Sequence, residues 1–341
     1  MKGKKRWISA AGIISATLLI GAVWILLPAP EPVYQGKPLS YWLAELGGPR
    51  HQIPSKVDAT SAIQHIGTNA IPTLLRFLLA RDFFVAEKLN TVLDHLPWVH
   101  FRFQTDRIKY NMAVTGFKML GPLGRGALPE LIRIYERQPH SVSPRTEVAE
   151  IFGRIGAEAA SAVPLLVLAV ATDSFAEQRS AAARALGEIA ERPEICIPAL
   201  LAALKDASEL VRTDAAISLG KFDSQPDNIV PALIAALQDP ALGVKYFAAL
   251  ALGHLHSQPE NSIPILIIGL GDSNNIVVRR ASAVALSEFG PAARAALPIL
   301  RLAVLQMHNA PDSAGSVYLG PAKQAIAKIS PSNSELCDFQ Y

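Results

Sequence analysis

Apolar side chains recur at helical spacing through the second half of the chain. One stripe follows the i, i+3, i+4, i+7 pattern of a single helix face, at Ile197, Leu200, Leu201 and Leu204. The stripe returns 33 residues later and then once more, at Val230, Leu233, Ile234 and Leu237 and at Ile263, Leu266, Ile267 and Leu270. Equal stripes in three successive segments predict helices that share one continuous core.

A second apolar pattern, made of smaller residues, precedes each stripe. In the first segment it consists of Ala182, Ala183 and Leu186, followed by Gly187. Alanines on one face of a helix allow a neighbouring helix to approach closely. We therefore expect a pair of helices in each segment, in which glycine permits a tight turn after the first helix and proline starts the second.

Prolines mark the predicted second helices at intervals of 33 to 35 residues, at Pro129, Pro164, Pro198, Pro231, Pro264 and Pro298. Self-similarity at this period is typical of stacked helical repeats. The predicted fold class is all-α, an α-solenoid of about seven helix pairs over residues 56–330. The first pair, from Lys56 to Ala80, is degenerate, and the polar residues 331–341 form a tail.

The N-terminal segment has the composition of a membrane span. Residues 7–27 are uncharged and mainly apolar, and a helix of this length crosses a hydrocarbon core of about 30 Å. The basic cluster in residues 1–6 predicts that this end stays in the cytoplasm, with the bulk of the chain outside it. Secretion after cleavage of a signal peptide is the alternative. Three prolines within residues 28–32 predict an extended linker over residues 28–38.

Residues 39–55 are predicted to cap the first repeat. Ser40 is a candidate N-cap for a short helix that carries Trp42 on its apolar face and ends at Gly47-Gly48. A terminal repeat needs a cover, and Trp42 suits that role. The alternative is that Trp42 contacts a partner or ligand.

The repeat spacing is interrupted once. Pro72 and Pro129 are 57 residues apart, which predicts an insert at residues 82–107 that begins with a helix from Asp82 to Leu96. Irregular segments on a regular scaffold are favoured places for recognition. The side chains expected either to contact a partner or to pack over the irregular joint are Trp98, Phe101, Arg102, Phe103 and Arg107.

Each turn between repeats carries an aspartate, followed six or seven residues later by a basic residue. The pairs are Asp173 with Arg179, Asp206 with Arg212, Asp239 with Lys245, and Asp272 with Arg279. Because the pair recurs at every joint, we expect a ladder of structural hydrogen bonds between neighbouring turns; a row of anion-binding sites is the alternative. Ser174 with Glu177 is a candidate capping box, and Asp239 before Pro240 is a candidate N-cap.

Charge and candidate chemistry argue against several classes of function. Without the four basic residues near the N-terminus, 28 of the 32 basic residues remain against 29 acidic ones, so the repeats lack the basic surplus of a nucleic-acid binder. The two cysteines, Cys196 and Cys337, are separated by three repeats, which is too far for a disulfide. The sequence has no glycine-rich phosphate loop, no serine-hydrolase elbow and no HExxH zinc motif.

Taken together, these features resemble HEAT repeats. Each of the three segments has a basic residue at the start of its first helix, an alanine pair followed by Leu-Gly, an aliphatic residue before the repeat proline, and an aspartate in the turn. They are most similar to the short bacterial type, like the HEAT-like repeats of phycobilisome lyases. The stretch from Gly36 to Leu43 resembles a segment of membrane-anchored bacterial HEAT-repeat proteins. HEAT-type deoxyhypusine hydroxylases build a di-iron site from His-Glu pairs, whereas none of the eight histidines here is followed by glutamate.

The resemblance implies an α-solenoid used for protein contacts. We therefore expect a single-pass bacterial inner-membrane protein whose repeats lie in the periplasm and bind a protein partner without catalysis. No cofactor, metal ion or nucleic acid is expected. A lyase-like or cofactor-handling activity is the alternative.

Overall fold

The computed structural model describes residues 30–47, 53–79, 106–137, 142–272, 275–308 and 313–331. Three predicted features lie outside the described residues: the transmembrane segment at residues 7–27, the helix from Asp82 to Leu96, and the tail beyond residue 331. The chain divides into two compact units, residues 1–119 and residues 120–341.

In the first unit a small hairpin precedes the helices. Strands β1 (Val33–Tyr34) and β2 (Lys37–Pro38) pair antiparallel, with Gln35 and Gly36 as the turn at φ of 48° and 73°. Positive φ at both central residues is the geometry of tight hairpin turns. The hairpin occupies part of the segment for which the sequence predicts an extended linker.

The helices that follow in this unit are α1 (Leu39–Gly47), α2 (Ile53–Ile66), α3 (Ile71–Leu78) and α4 (Asp106–Leu120, whose last residue falls in the second unit). Helix α1 packs on α2 with Leu39, Trp42 and Leu43 buried. The prediction that Ser40 is the N-cap is wrong, because α1 already begins at Leu39. The backbone N–H of Ser40 instead donates to Oε2 of Glu31 at 2.8 Å, since the hairpin brings that carboxylate to the start of the helix.

The second unit is a run of helices joined by short turns. They are α5 (Leu128–Arg137), α6 (Val142–Ile155), α7 (Val163–Thr172), α8 (Ala176–Ile189), α9 (Pro193–Ala203), α10 (Glu209–Leu219), α11 (Pro226–Ala236), α12 (Leu242–Leu255), α13 (Pro259–Leu270), α14 (Ile276–Phe289), α15 (Leu297–His308) and α16 (Ser313–Ile329).

The packing of these helices is that of a repeat array. The first helices α6, α8, α10, α12 and α14 lie side by side in chain order, and α16 follows α14. Each second helix, from α5 to α15, packs against the helix that comes next in the chain. Both predicted stripes supply the core, with Ala182 and Leu186 from α8 and Ile197 and Leu200 from α9 fully buried. The prediction of a helical repeat fold is confirmed for the described residues.

Three glycines near the ends of α8, α10 and α12 lie where adjacent first helices meet. Gly187 lies inside α8, and a Cβ added to it would lie 2.4 Å from the Cβ of Ser218 on α10. The same close approach recurs at Gly220 against Ala251 and at Gly253 against Ala285. The prediction of a tight turn is wrong for Gly187 and Gly253, which lie inside α8 and α12, whereas Gly220 ends α10 as predicted. At all three positions adjacent first helices meet and leave no room for a side chain.

The repeat prolines start the second helix in some pairs and lie inside it in others. Helices α3, α5, α7 and α15 begin one residue before their proline, after a 3₁₀ turn, as predicted. Helix α9 begins earlier, at Pro193, so Pro198 lies inside it, and α11 and α13 repeat this arrangement. In these pairs the prediction is wrong, because a second proline after a left-handed residue starts the helix sooner. These left-handed residues are Arg192, Gln225 and Gln258.

Two predicted caps also differ from the structure. Helix α8 follows Phe175, with no side-chain hydrogen bond at its cap, so the capping box of Ser174 and Glu177 is not formed. Helix α12 begins only at Leu242. Asp239 instead accepts a hydrogen bond from the backbone N–H of Ala241 at 2.8 Å, which closes the turn before the helix.

One continuous helical run within the described residues, Pro144–Thr172, is long and apolar enough by length and composition to cross a membrane. It comprises α6, a 3₁₀ turn (Gly156–Ala162) and α7. Both helices pack against α8, as helices of a repeat core do.

Candidate partner-binding surfaces

An arginine–aspartate ladder joins each repeat to the next. Arg179 donates from Nε and Nη2 to the two carboxylate oxygens of Asp206, both at 2.8 Å. Arg212 makes the same bidentate contact with the carboxylate of Asp239, at 2.7 and 2.9 Å. The aspartate partner therefore lies in the following turn, 27 residues on, and not in the arginine's own turn.

Backbone carbonyls complete these contacts. Nη1 of Arg212 donates to the carbonyl oxygens of Asp206 and Ala207 at 2.9 and 3.1 Å. One guanidinium thus contacts both the turn before its own helix and the equivalent turn of the next repeat. The preceding joint has an ion pair of 3.0 Å between Arg145 and Asp173.

The ladder is shielded from solvent. The side chains of Arg179 and Asp206 are only 17% and 14% exposed. Each of these guanidinium groups already has a carboxylate and carbonyl oxygens as partners, so the geometry favours structural hydrogen bonding over the binding of external anions.

Pairing and burial shift the pKa values of the ladder aspartates in opposite directions. Hydrogen bonds from the arginines lower the pKa of Asp206 and Asp239, and the charge of Lys245 adds to the effect at Asp239. Burial raises the pKa of Asp173, and the charge of Arg145 only partly offsets this.

The contacts change at the last joint that the sequence assigns to the ladder. Arg279 donates from Nε to the carbonyl oxygen of Leu270 at 3.2 Å, and its guanidinium lies 4.6 Å from the ring centroid of Tyr318. Asp272 accepts a hydrogen bond from Nδ2 of Asn275 at 3.0 Å. Arg279 therefore holds the final helix α16 through an aromatic ring.

A buried polar cluster that the sequence did not predict joins α8 and α10. The carboxylate of Asp214 is buried and accepts hydrogen bonds from Oγ of Ser180 and from Nε and Nη2 of Arg184. The neighbouring repeats have Ala181 and Phe247 at the position of Asp214. A carboxylate where the neighbouring repeats have an apolar residue was therefore the sequence signal that could have revealed this cluster. These contacts occupy the carboxylate and hold the two helices together.

The second helices present an apolar surface to solvent. Leu168, Ile268 and Leu302 are 58%, 66% and 54% exposed, and each lies four residues after a repeat proline. The equivalent positions on α9 and α11 are the exposed Ala202 and Ala235. We call the surface formed by these five residues the second-helix face.

A groove of about 590 Å³ lies on this face between α7 and α9. Its walls are mainly apolar, and Glu194 and Asp206 also line it. The apolar residues are Val167, Val170, Ala171, Ile195, Pro198, Ala199, Ala202 and Ala203.

One edge of the second-helix face is acidic. This acidic edge consists of the turns at residues 188–194, 221–227 and 256–260, which contain six acidic residues and two basic ones. The acidic residues are Glu188, Glu191, Glu194, Asp223, Asp227 and Glu260. Acidic residues in a first helical turn also favour the helix itself, but they leave this edge with a net negative charge.

A second cavity, of about 270 Å³, lies in the first unit beside Trp42. Trp42 is itself buried against the α1–α2 core, and its Nε1 donates to the carbonyl oxygen of Tyr34 at 3.3 Å. The lining residues are Tyr34, Gln35, Lys37, Tyr41, Trp42, Glu45, Asp58 and Ser61.

Of the predicted contact residues in the insert, only Arg107 is described, as an exposed residue in the first turn of α4. The others lie outside the described residues, namely Trp98, Phe101, Arg102 and Phe103.

Among the described residues, no group of three or more His, Cys, Asp or Glu side chains is placed to hold a metal ion. Cys196 is buried on α9, and burial raises the pKa of its thiol to about 11. The thiol is therefore protonated at neutral pH and is a poor nucleophile.

The repeats match a known family. Residues 163–229, 197–287 and 230–306 match the family model for HEAT repeats. Residues 163–306 form HEAT repeats. The inferred resemblance to HEAT repeats is thus confirmed for this part of the chain, whereas no curated protein sequence matches the chain significantly.

Solved structures of helical repeat proteins align with this chain. YibA of Escherichia coli covers 85% of this chain and 91% of its own, at 17% identity and a TM-score of 0.48. The complex of CpcE and CpcF of phycocyanin lyase from Nostoc covers 47% of this chain and 98% of the matched chain, at 25% identity and a TM-score of 0.38. The karyopherin Kap121p bound to Nup53p covers 86% of this chain and 33% of its own, at 13% identity and a TM-score of 0.53. The likeness to Kap121p shows the fold alone.

Proposed function

We propose that this chain is a non-catalytic protein-interaction scaffold that binds its partner on the second-helix face. The observation that carries this proposal is the groove of about 590 Å³ between α7 and α9, lined on its two sides by the exposed Ala171 and Ala202. Exposed apolar surface that continues over several helices marks interaction sites in soluble domains.

The charge next to the groove defines the chemistry of the partner. The acidic edge favours a partner segment that carries Lys or Arg, while the groove favours apolar side chains in the same segment. The matching partner is therefore a peptide segment with apolar residues flanked by basic ones. Its apolar residues supply the buried contact, and its charges set orientation and association rate.

A paired-variant binding experiment tests the proposal. The immobilised full-length chain captures proteins from its native cells, and the captured partner is then purified and its affinity measured. Ala171→Glu/Ala202→Glu places two charges in the groove, whereas Leu242→Glu places one at an exposed position on a first helix. We expect affinity to fall by about tenfold or more for the groove variant only.

Equal binding by both variants, or capture of no partner above background, would contradict the proposal. A chromophore or metal ion that co-purifies with the native protein would instead favour the lyase-like or cofactor-handling alternative.

We further propose that the chain is anchored in a bacterial inner membrane with its repeats in the periplasm. The support is the sequence alone, namely the basic residues 1–6 followed by the apolar residues 7–27. A reporter active only outside the cytoplasm, fused after Tyr341, should be active, and an inactive fusion together with activity of a cytoplasm-specific reporter at the same position would overturn the orientation. The intact mass of the mature protein distinguishes an anchor from a cleaved signal, which would yield a secreted protein.

A further inference from the structure

We propose that the cavity beside Trp42 binds an organic cation, an ammonium or guanidinium group. This site lies in the first unit and does not depend on the proposed second-helix face. It combines aromatic rings, which attract cations through their faces, with two carboxylates in one cavity of about 270 Å³.

The rings of this cavity already hold a cation of the chain itself. Nζ of Lys37 lies 4.2 Å from the ring centroid of Tyr41 and 5.2 Å from that of Trp42. It also donates a hydrogen bond to Oη of Tyr41 at 2.9 Å. These distances are within the range at which a ring attracts a cation, so the ring faces of this cavity favour positive charge.

The ring cluster is rigidly supported. Tyr34 meets Trp42 edge to face at 6.1 Å and stacks on the imidazole of His65 at 5.1 Å. The indole of Trp42 is fixed by its hydrogen bond to the backbone of Tyr34. A ligand therefore meets preorganised rings, which lowers the entropic cost of binding.

The carboxylates give the cavity a charge that Lys37 does not balance. Glu45 and Asp58 both line it, so its formal charge with Lys37 is −1. Within the described part of the chain, neither carboxylate makes an ion pair or hydrogen bond with another side chain, and Lys37 is directed to the rings instead. A ligand cation gains two carboxylate partners that the fold leaves available.

Lys37 acts as an internal competitor for the same site. It is an exposed residue of the short strand β2, so its side chain can leave the rings without disturbing the buried core. Lys37→Met keeps the apolar stem and removes the competing charge from the ring faces. Affinity for an external cation should therefore rise when Lys37 is replaced, which a purely structural lysine would not produce.

The experiment follows the indole N–H resonance of Trp42 in the full-length chain, identified by its absence from Trp42→Phe. The probes are Nα-acetyl-arginine amide, tetramethylammonium and the neutral Nα-acetyl-citrulline amide. We expect the two cations to shift the resonance in a saturable manner and the neutral probe to leave it unchanged. Glu45→Gln/Asp58→Asn should weaken cation binding by about tenfold or more, and Lys37→Met should strengthen it several-fold.

A matched control keeps the test specific to the cavity. Glu136→Gln/Glu209→Gln removes the same number of charges at exposed positions of the second unit, outside the acidic edge, and should leave the affinity unchanged. Equal cation affinity in the cavity double variant and the wild type would overturn the proposal, as would equal shifts by arginine amide and citrulline amide. Tighter binding of an arginine-containing peptide than of spermidine would assign the cation to a protein partner, and the reverse would assign it to a free amine.

Discussion

Gly187 on α8 faces Ser218 on α10 at a distance that leaves no space for a side chain. A Cβ on the glycine would lie 2.4 Å from both Cβ and Oγ of the serine and 2.6 Å from its Cα. The hydroxyl of Ser218 in turn donates to the carbonyl oxygen of Ala183 at 2.9 Å. Adjacent first helices are therefore in contact through backbone and the smallest side chains, and each repeat must keep a small residue at this position.

Gly187→Ala should destabilise the array. The added methyl group forces α8 and α10 apart, and we expect the free energy of unfolding to fall by about 1–3 kcal/mol despite the better helix propensity of alanine. Urea unfolding followed by circular dichroism measures this. Gly320→Ala is the matched control, because a Cβ there meets nothing within 4 Å and should raise stability by up to about 1 kcal/mol. Equal effects of the two substitutions would refute the packing argument.

Arg212→Ala should weaken the joint between two repeats. The substitution removes both hydrogen bonds from Arg212 to the mostly buried carboxylate of Asp239, so we expect a loss of about 2–4 kcal/mol in the free energy of unfolding. Arg192→Ala, which removes an exposed pair with Glu194, should cost less than about 1 kcal/mol. If both variants unfold at the same urea concentration, the ladder does not stabilise the joint.

The ladder also predicts how stability depends on pH. The folded-state pKa of Asp206 and of Asp239 lies below the ordinary value of 3.8, so each stabilises the fold above that pH. This contribution is lost as the pH falls from 3.8 through the folded-state pKa. We therefore expect the free energy of unfolding to fall less steeply with acidification in Asp206→Asn/Asp239→Asn than in the wild type.

Asp173 contributes a pH dependence of stability with the opposite sign. Burial raises its pKa, so its contribution to stability is present below 3.8 and is lost as the pH rises through the higher folded-state value. Asp173→Asn should therefore lose stability more steeply than the wild type on acidification. Urea titrations at a series of pH values compare the three proteins, and parallel curves would rule out both assignments.

Ala190→Gly should stabilise the repeat. Ala190 ends α8 in a left-handed conformation, with φ of 52°, which glycine adopts without steric cost. We expect the free energy of unfolding to rise by about 1 kcal/mol. Ala235→Gly, at an exposed position inside α11, should lower it by about 1 kcal/mol. A destabilised Ala190→Gly protein would show that the left-handed turn is not strained in solution.

The candidate sites were predictable only in part. Trp42 was identified from its sequence context, but the cavity beside it also needs Lys37 and Asp58, which come from a hairpin and from α2. The hairpin itself was missed, because two-residue strands leave no periodic pattern. Asp214 was missed because its partners Ser180 and Arg184 lie in the preceding repeat.

The sequence by itself determined the period, the two helices of each repeat and the residues of their core. Spacing of apolar residues along a helix is a local property, and it survives in every copy of the repeat. Only the tertiary structure decided that Arg179 pairs with Asp206, that Gly187 makes room for Ser218, and that the groove opens between α7 and α9. These contacts join residues about one repeat apart, so they depend on how neighbouring repeats stack, and that register is set by packing in three dimensions.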